Sequence, residues 1–242
     1  MWGPLQYNIA QAFCLKCYNG SVTKIPIAIV HATRASLEPV NRYYAAHAPQ
    51  LDIYNLLDDG LMRYLDAVDM ERADKRFISM LETARDEYGA KMAMLTCSAV
   101  PSTTMAMLRA WDCSFPVIKI DEPMTAQAVA FGNKIGVLAT FPATVATTHG
   151  LLFEAACGRK IELPTVFIPH ALQALFDGDR TTHDALVRAA AMEMVALHAV
   201  DAIVLAQVSM AHLAGELGRE TGIPVVGSLD TSLAAILQIT SR

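Results

Sequence analysis

The chain contains an internal repeat, and this is the strongest constraint on its fold. Three segments of the first half recur with similar sequences in the second half: 27–33 in 135–140, 93–98 in 203–208, and 115–118 in 223–226. Position 27 corresponds to position 135, position 97 to 207, and position 116 to 224, so the repeat distance is nearly the same at all three places. A period of roughly 110 residues is too long for a solenoid, so it predicts two duplicated lobes.

Within each repeat, short apolar runs alternate with longer stretches of helical spacing. The predicted strands are 25–30, 52–56, 92–95, 116–120, 135–139, 165–168, 202–206 and 224–226. The predicted helices are 37–48, 70–88, 103–111, 124–131, 143–157, 183–198, 212–221 and 232–239. This alternation indicates βαβ units, and we therefore predict an α/β fold in which each lobe is a parallel sheet flanked by helices. Residues 58–69 and 169–182 are expected to be loops.

The repeat also suggests how the chain is divided. We predict an N-terminal extension at residues 1–24, a first α/β lobe at 25–120 plus 222–242, and a second α/β lobe at 121–221. Ligands of open α/β sheets bind at the carboxyl ends of the strands. If the two lobes face each other, the active site lies in the cleft between them.

The overall composition argues against several classes of protein. Hydrophobic residues make up 53% of the 242 residues, and the net charge of −5 argues against a nucleic-acid-binding protein. No apolar stretch approaches the ~18 uninterrupted residues of a membrane span. The N-terminus lacks the basic start of a signal peptide, and the five scattered cysteines fit a reducing compartment. We therefore predict a cytoplasmic protein with no nucleic-acid or membrane partner.

No motif predicts a metal or a nucleotide cofactor. Cys14 and Cys17 form a CxxC, but a zinc site needs a second pair of ligands and none lies nearby in the sequence. The acidic pairs at 58–59 and 121–122 lack the spacing of metal ligands. The first predicted strand is followed by residues 31–34 (His-Ala-Thr-Arg) rather than by a glycine-rich phosphate-binding loop. We therefore expect neither a metal nor a cofactor.

A single thiol follows the third predicted strand. Cys97 stands between the apolar run 92–95 and Pro101, which is a helix-starting signal. A helix N-terminus can stabilise a thiolate by up to ~2 kcal/mol, so we expect the pKa of Cys97 to be lowered toward neutrality. This predicts a reactive Cys97, and a thiol reagent that labels Cys113 or Cys157 but spares Cys97 would contradict it. The alternative is that Cys97 is a small buried residue.

Polar residues at other strand ends are further candidates. His31 ends the first strand at the position that residues 139–140 hold in the repeat, so it could assist acid–base chemistry. Hydroxyl and amide groups of Ser98, Thr140 and Thr144 could donate hydrogen bonds to a negative charge that develops on a bound substrate. For the two threonines, helix capping is the alternative role.

Four other charged or titratable residues have weaker support. Arg34 or Lys119 could pair with an acidic group of a ligand, although solvated surface charges are commoner. His149 and His212 are expected on helix surfaces or at the lobe interface.

Three segments resemble the aspartate/glutamate/hydantoin racemase superfamily, which includes amino-acid racemases, hydantoin and allantoin racemases, maleate isomerase and arylmalonate decarboxylase. They are residues 95–98 (Leu-Thr-Cys-Ser), residues 135–140 followed by Thr144, and residues 204–211. The resemblance covers about residues 25–240. It implies two lobes related by a pseudo-twofold axis, a substrate carboxylate held between them, no cofactor, and a homodimer.

The same resemblance suggests which residues act. Typical racemases of the superfamily carry a cysteine on each wall of the cleft, and Cys97 matches the first position. Gln207 stands at the second position, and a carboxamide cannot exchange protons as a thiol does. The catalytic candidates are therefore Cys97, Gln207 and His31. The candidate substrate-binding residues are Thr33, Ser98, Thr140, Thr144, Val208 and Ser209.

Three functions remain open at this point. The first is a racemase or isomerase that acts on a small carboxylate, with His31 or a water molecule as the second proton donor. The second is a decarboxylase similar to arylmalonate decarboxylase, which needs only one thiol, although that enzyme carries its thiol on the opposite wall. The third is a carboxylate-binding protein without turnover.

Overall fold

The structure is a computed structural model that describes residues 24–241, apart from the side chain of Ala143. It contains two four-stranded sheets. The strands are β1 (Ile25–His31), β2 (Leu51–Leu57), β3 (Ala93–Leu95), β4 (Val117–Lys119), β5 (Ile135–Ala139), β6 (Thr165–Phe167), β7 (Ala202–Leu205) and β8 (Val225–Val226). Their order is β2-β1-β3-β4 in the first sheet and β6-β5-β7-β8 in the second. All neighbouring strands are parallel, so the two sheets have the same topology and the predicted α/β fold is confirmed.

Helices flank both sheets. They are α1 (Leu37–His47), α2 (Leu61–Asp66), α3 (Met70–Glu82), α4 (Ser102–Trp111), α5 (Glu122–Phe131), α6 (Pro142–Ala156), α7 (Pro169–Phe176), α8 (Arg180–His198), α9 (Ala214–Thr221) and α10 (Ser228–Thr240). Shorter helical turns cover Arg34–Ser36 and Val208–Leu213, and a π-helical turn at Thr83–Glu87 extends α3.

Two segments that the sequence predicts as loops contain helices. Residues 58–69 include α2, and residues 169–182 include α7 and the start of α8. Helix α8 begins at Arg180 because the carboxylate of Asp179 accepts a hydrogen bond from the Thr182 N–H at 2.9 Å, which is an N-cap. Helix α2 has only six residues, so too few turns are present to show a helical period in the sequence.

Each sheet is buried on both faces. In β1, Ala28 and Val30 belong to the apolar core on one face, and Ile27 and Ile29 to the core on the other. This division follows from the alternation of side chains along a strand. Separate cores cover the two faces of the second sheet. Burial on both faces explains why the strands read as continuous apolar runs in the sequence.

The last helix returns to the first sheet. Leu229, Leu233 and Ile236 of α10 pack in the same core as Ile27 and Ile29. Strand β8, in contrast, pairs with β7 of the second sheet. The chain therefore passes back to the first sheet only after β8. The predicted boundary at residue 222 places β8 in the first lobe, whereas β8 pairs within the second sheet.

Two further observations concern the helices and the range of residues that the structure describes. None of the helices in the described part of the chain has the length and apolar character needed to cross a membrane. Residues 1–23, with Cys14 and Cys17, lie outside the described residues.

Candidate active site

The carboxyl ends of the central strands of the two sheets are in contact. Ser98, in the loop after β3, donates a hydrogen bond from its hydroxyl to the carbonyl oxygen of Ala206, directly after β7, at 3.5 Å. Ala206 precedes Gln207, and Ser98 follows Cys97. The contact therefore brings together the two segments that the internal repeat aligns.

Cys97 is half-buried at the edge of the first apolar core. Its Sγ lies 3.9 Å from Sδ of Met62 in α2, and it is a free cysteine. Burial raises the pKa of the Cys97 thiol and outweighs the backbone N–H groups of Ala99 and Val100, which act in the opposite direction. The expectation of a lowered pKa is therefore wrong. The helix that should have lowered it, α4, begins only at Ser102, and its N-terminal field acts only over about one turn.

The three free cysteines of the described chain differ in their exposure to a thiol reagent. Cys113 and Cys157 are exposed, whereas Cys97 is half-buried. Preferential labelling of the two exposed thiols is now expected, because they are more accessible to a reagent, and it would no longer contradict a role for Cys97.

Gln207 is fixed by the backbone at the end of β5. Its side-chain Oε1 accepts a hydrogen bond from the Thr140 N–H at 3.0 Å. This contact sets the orientation of the carboxamide, so Nε2 points away from Thr140 N. Nε2 of Gln207 and Oγ1 of Thr140 are both buried, and neither has a hydrogen-bond partner among the described residues. Such groups are rare in folded proteins and call for a partner.

His31 is buried in a polar network at the ends of β1, β2 and β3. Its Nε2 lies 2.9 Å from Oδ1 of Asn55, so it carries the proton and donates it. Its Nδ1 lies 2.8 Å from Oγ of Ser36 and 3.2 Å from Oγ1 of Thr96. Burial lowers the pKa of His31, although the Asn55 contact acts in the opposite direction. Because both ring nitrogens have partners within the protein, neither is free to exchange a proton with a substrate.

The remaining candidates lie around the same strand ends. Thr33 precedes the first short helical turn, and its carbonyl accepts from the Ser36 hydroxyl at 3.2 Å. Thr144 is buried in the first turn of α6. Val208 and Ser209 begin the helical turn after Gln207, with Val208 in the core shared with α10. The predicted substrate-binding set therefore follows β1, β3, β5 and β7.

The other titratable candidates form contacts away from Cys97 and Gln207. Arg34 forms an exposed ion pair with Asp59 at 3.0 Å. His149 is 2.8 Å from Oγ1 of Thr165, and burial lowers the pKa of His149. His212 is bound to Asp184 at 3.0 Å. None of these three contacts involves Cys97 or Gln207.

Lys119 is a residue whose position the sequence does not reveal. The sequence favours a solvated surface charge, yet the Lys119 side chain is buried next to the loop that carries Cys97. Because buried lysines are rare, the sequence alone predicts an exposed side chain for Lys119, and this prediction is wrong. The only sequence feature that suggests its location near the candidate site is its position at the end of a predicted strand.

Within the part of the chain that the structure describes, one cavity lies beside α4 and another beside α1. One, of about 240 Å³, lies between the start of α4 and α6 and is lined by Pro101, Lys119 and Glu154, among others. The other, of about 250 Å³, is lined by Arg42, His212 and other residues near α1 and α10. Neither is lined by Cys97 or Gln207.

No group of three or more histidine, cysteine, aspartate or glutamate side chains within residues 24–241 is arranged to hold a metal ion.

Residues 26–236 match the family model described as Asp/Glu/Hydantoin racemase. The chain belongs to this family. The match spans both sheets, so the racemase-family fold accounts for nearly all of the described chain. No curated protein matches this chain in sequence.

Solved structures with the same fold include several racemases. Allantoin racemase from Klebsiella pneumoniae superposes with a TM-score of 0.67 at 19% identity, over 90% of this chain and 88% of that one. A glutamate racemase from Bacillus anthracis gives 0.65 at 17% identity, over 89% and 82%. A glycine-to-cysteine mutant of arylmalonate decarboxylase gives 0.57 at 17% identity, over 89% and 93%. At these identities the likeness establishes the racemase-family fold, not the substrate.

Proposed function

We propose that the chain is a cofactor-independent enzyme that transfers a proton at the carbon next to a carboxylate of a small acid, such as an amino acid or a hydantoin-like compound. Cys97 is the proton-transfer group. The observation that supports this most is the Ser98–Ala206 contact at 3.5 Å, since it joins the loop that carries Cys97 to the strand end that carries Gln207. Family membership supports the reaction class.

The chemistry requires donors for a developing negative charge. Removing a proton, or carbon dioxide, from a carbon next to a carboxylate leaves an electron pair that is delocalised onto the carboxylate oxygens. Donors aimed at that charge usually contribute the largest catalytic effect. In this proposal, Nε2 of Gln207 and the hydroxyl of Thr140 are the donors, since both are buried without a partner in the described chain.

A racemase or isomerase is the first candidate, because the family is one of racemases. In this version Cys97 acts on one face of the substrate. The second proton comes from water, because His31 has both ring nitrogens bound within the protein and Gln207 has no titratable proton.

A one-thiol decarboxylase is the second candidate, and the raised pKa of Cys97 favours it. A thiol with a raised pKa is protonated at neutral pH, which suits a proton donor better than a base. The substrate carbon loses carbon dioxide, the electron pair of the broken bond passes to the remaining carboxylate, and the Cys97 thiol donates its proton to that carbon. The thiolate is then reprotonated from solvent.

Turnover in deuterated buffer separates these candidates. A panel of single-enantiomer amino acids, hydantoins and substituted malonates is incubated with the wild type, with Cys97→Ala, and with Cys113→Ala as the matched control on an exposed thiol. Deuterium at the α-carbon with loss of optical activity indicates racemisation. Release of one carbon dioxide per product indicates the decarboxylase.

Both versions require that Cys97→Ala abolishes turnover and that Cys113→Ala does not. Tight binding of a panel compound by both the wild type and Cys97→Ala, with no turnover by either, would instead identify a carboxylate-binding protein and contradict the proposal. A cytoplasmic homodimer is the form that the proposal expects, and sedimentation velocity measures the oligomeric state.

A further inference from the structure

A lysine ammonium group lies buried against the loop that carries Cys97. Lys119 is the last residue of β4 and pairs in register with Leu95, the last residue of β3. Its side chain is 2% exposed. A lysine is seldom buried to this extent unless its charge has partners.

The partners are in that loop. Nζ of Lys119 donates to the carbonyl oxygens of Ser98 at 3.2 Å and Val100 at 2.9 Å. It also lies 3.6 Å from Oδ2 of Asp121, at the start of α5. An ammonium group has three donors, so two hold the backbone on the carboxyl side of Cys97 and the third faces a carboxylate.

The acidic residue next to Asp121 is already paired. Glu122 accepts from Nη2 of Arg109 at 2.7 and 2.6 Å and from the Lys119 N–H at 2.9 Å. The carboxylate oxygens of Asp121, in contrast, have no hydrogen-bond partner among the described residues. On the side of α2, Cys97 meets the thioether of Met62. Among the described residues, the charges of Lys119 and Asp121 act on the thiol with opposite signs: Lys119 lowers the pKa of Cys97 and Asp121 raises it.

We propose that Lys119 is a positioning residue for Cys97: it fixes the loop through two carbonyl groups and supplies the positive charge that stabilises the thiolate, while Asp121 limits that effect as its counter-charge. This deepens the proposed function, which assigns proton transfer to Cys97.

The test titrates the thiol and needs no substrate. The ultraviolet absorbance of the Cys97 thiolate is followed against pH as the difference between each protein and the same protein with Cys97→Ser. The proteins compared are the wild type, Lys119→Met, Lys119→Arg and Asp121→Asn. We expect Lys119→Met to reduce the thiolate fraction at a given pH by roughly tenfold. Lys119→Arg keeps the charge and should stay close to the wild type, and Asp121→Asn should increase the thiolate fraction.

A purely structural role for Lys119 gives a different result. Loosening the loop would hydrate Cys97, and hydration favours the thiolate, so Lys119→Met would then increase the thiolate fraction. That outcome, or unchanged titrations in both Lys119→Met and Asp121→Asn, overturns the proposal. If Lys119→Met does not fold by circular dichroism, Asp121→Asn decides: more thiolate supports the proposal and an unchanged or smaller fraction overturns it. Failure of the proposed function would appear as missing turnover and would leave these titrations unaffected.

Discussion

At the scale of single residues, the carboxamide of Gln207 is held in one orientation. The Thr140 N–H binds Oε1, so the buried Nε2 has no hydrogen-bond partner among the described residues. Under the proposed function, Gln207 binds the substrate through Nε2 and does not transfer a proton. The proposed function therefore needs only the Cys97 thiol for proton transfer.

Substitution of Gln207 tests this description. Gln207→Leu keeps much of the volume but removes the donor, so we expect kcat on any substrate found in the panel to fall about 10²- to 10³-fold, as for loss of one donor to a developing oxyanion. Gln207→Cys restores a second thiol, and we expect it to increase formation of the opposite enantiomer. Chiral chromatography of the products measures both. A Gln207→Leu enzyme as active as the wild type would contradict the role of Nε2.

Asp121 predicts a pH dependence of stability. Burial raises the pKa of Asp121 from 3.8 to about 6, so the folded state holds a proton that the unfolded state has released. The stabilisation is therefore present at low pH and is lost as the pH rises through about 6. Relative to Asp121→Asn, we expect the free energy of unfolding of the wild type to fall by about 2 kcal/mol between pH 4.5 and pH 7.

Urea denaturation of both proteins at the two pH values measures this difference. A difference that stays constant, or that grows with pH, would show that Asp121 is charged throughout the range.

At the scale of elements, the polar network of His31 joins the ends of three strands. His31 ends β1, Asn55 belongs to β2, and Thr96 follows β3. The network holds the strand ends in a fixed relation beneath the site, which is a structural role and not the proton transfer that the sequence suggested.

This role predicts that His31 changes the free energy of unfolding with pH in the opposite direction to Asp121. Burial lowers the pKa of His31 below 6.5, so below that pH the unfolded state binds a proton more readily than the folded state. The stabilisation is present above pH 6.5 and is lost as the pH falls. We expect the wild type to lose more stability than His31→Gln between pH 7.5 and pH 5, measured by urea denaturation. Equal losses would indicate that His31 is not held neutral.

The sequence predicts the elements better than it predicts their side-chain environments. All eight strands of the described chain are predicted. The central strands β3, β5 and β7 are fully buried, and strands buried on both faces read as apolar runs. Helices α2 and α7 are not, since they have six and eight residues and show too little periodicity. The candidate site residues are predicted at the carboxyl ends of parallel strands because ligands of open α/β sheets bind there, and their roles stay predictions. The burial of Lys119 and His31, and hence their roles, depends on packing between elements distant in sequence.

At the scale of the whole molecule, α10 links the two halves. It packs with β1 in one core, and the Tyr44 hydroxyl in α1 lies 2.7 Å from Oγ of Ser232. Val208 and Ala211, which follow β7, lie in the same core. The two sheets therefore share apolar residues, and we expect them to unfold together.

A substitution that creates a cavity in this shared core tests whether the two sheets unfold together. Ile236→Ala should lower the free energy of unfolding by about 2–4 kcal/mol while calorimetry still shows a single transition. Leu197→Ala, at an exposed site in α8, is the control and should change stability little. Two separated transitions in Ile236→Ala would indicate that the halves are independent.

The return of α10 has a consequence for how the protein is made. Domains begin to fold as they leave the ribosome, but residues 229–236, which complete the apolar core on one face of the first sheet, are synthesised after all the described strands of both sheets. The second sheet can assemble as soon as β8 has emerged. The N-terminal sheet thus remains uncovered on that face during translation, and chain termination just before α10 should yield an aggregation-prone product rather than a smaller working domain.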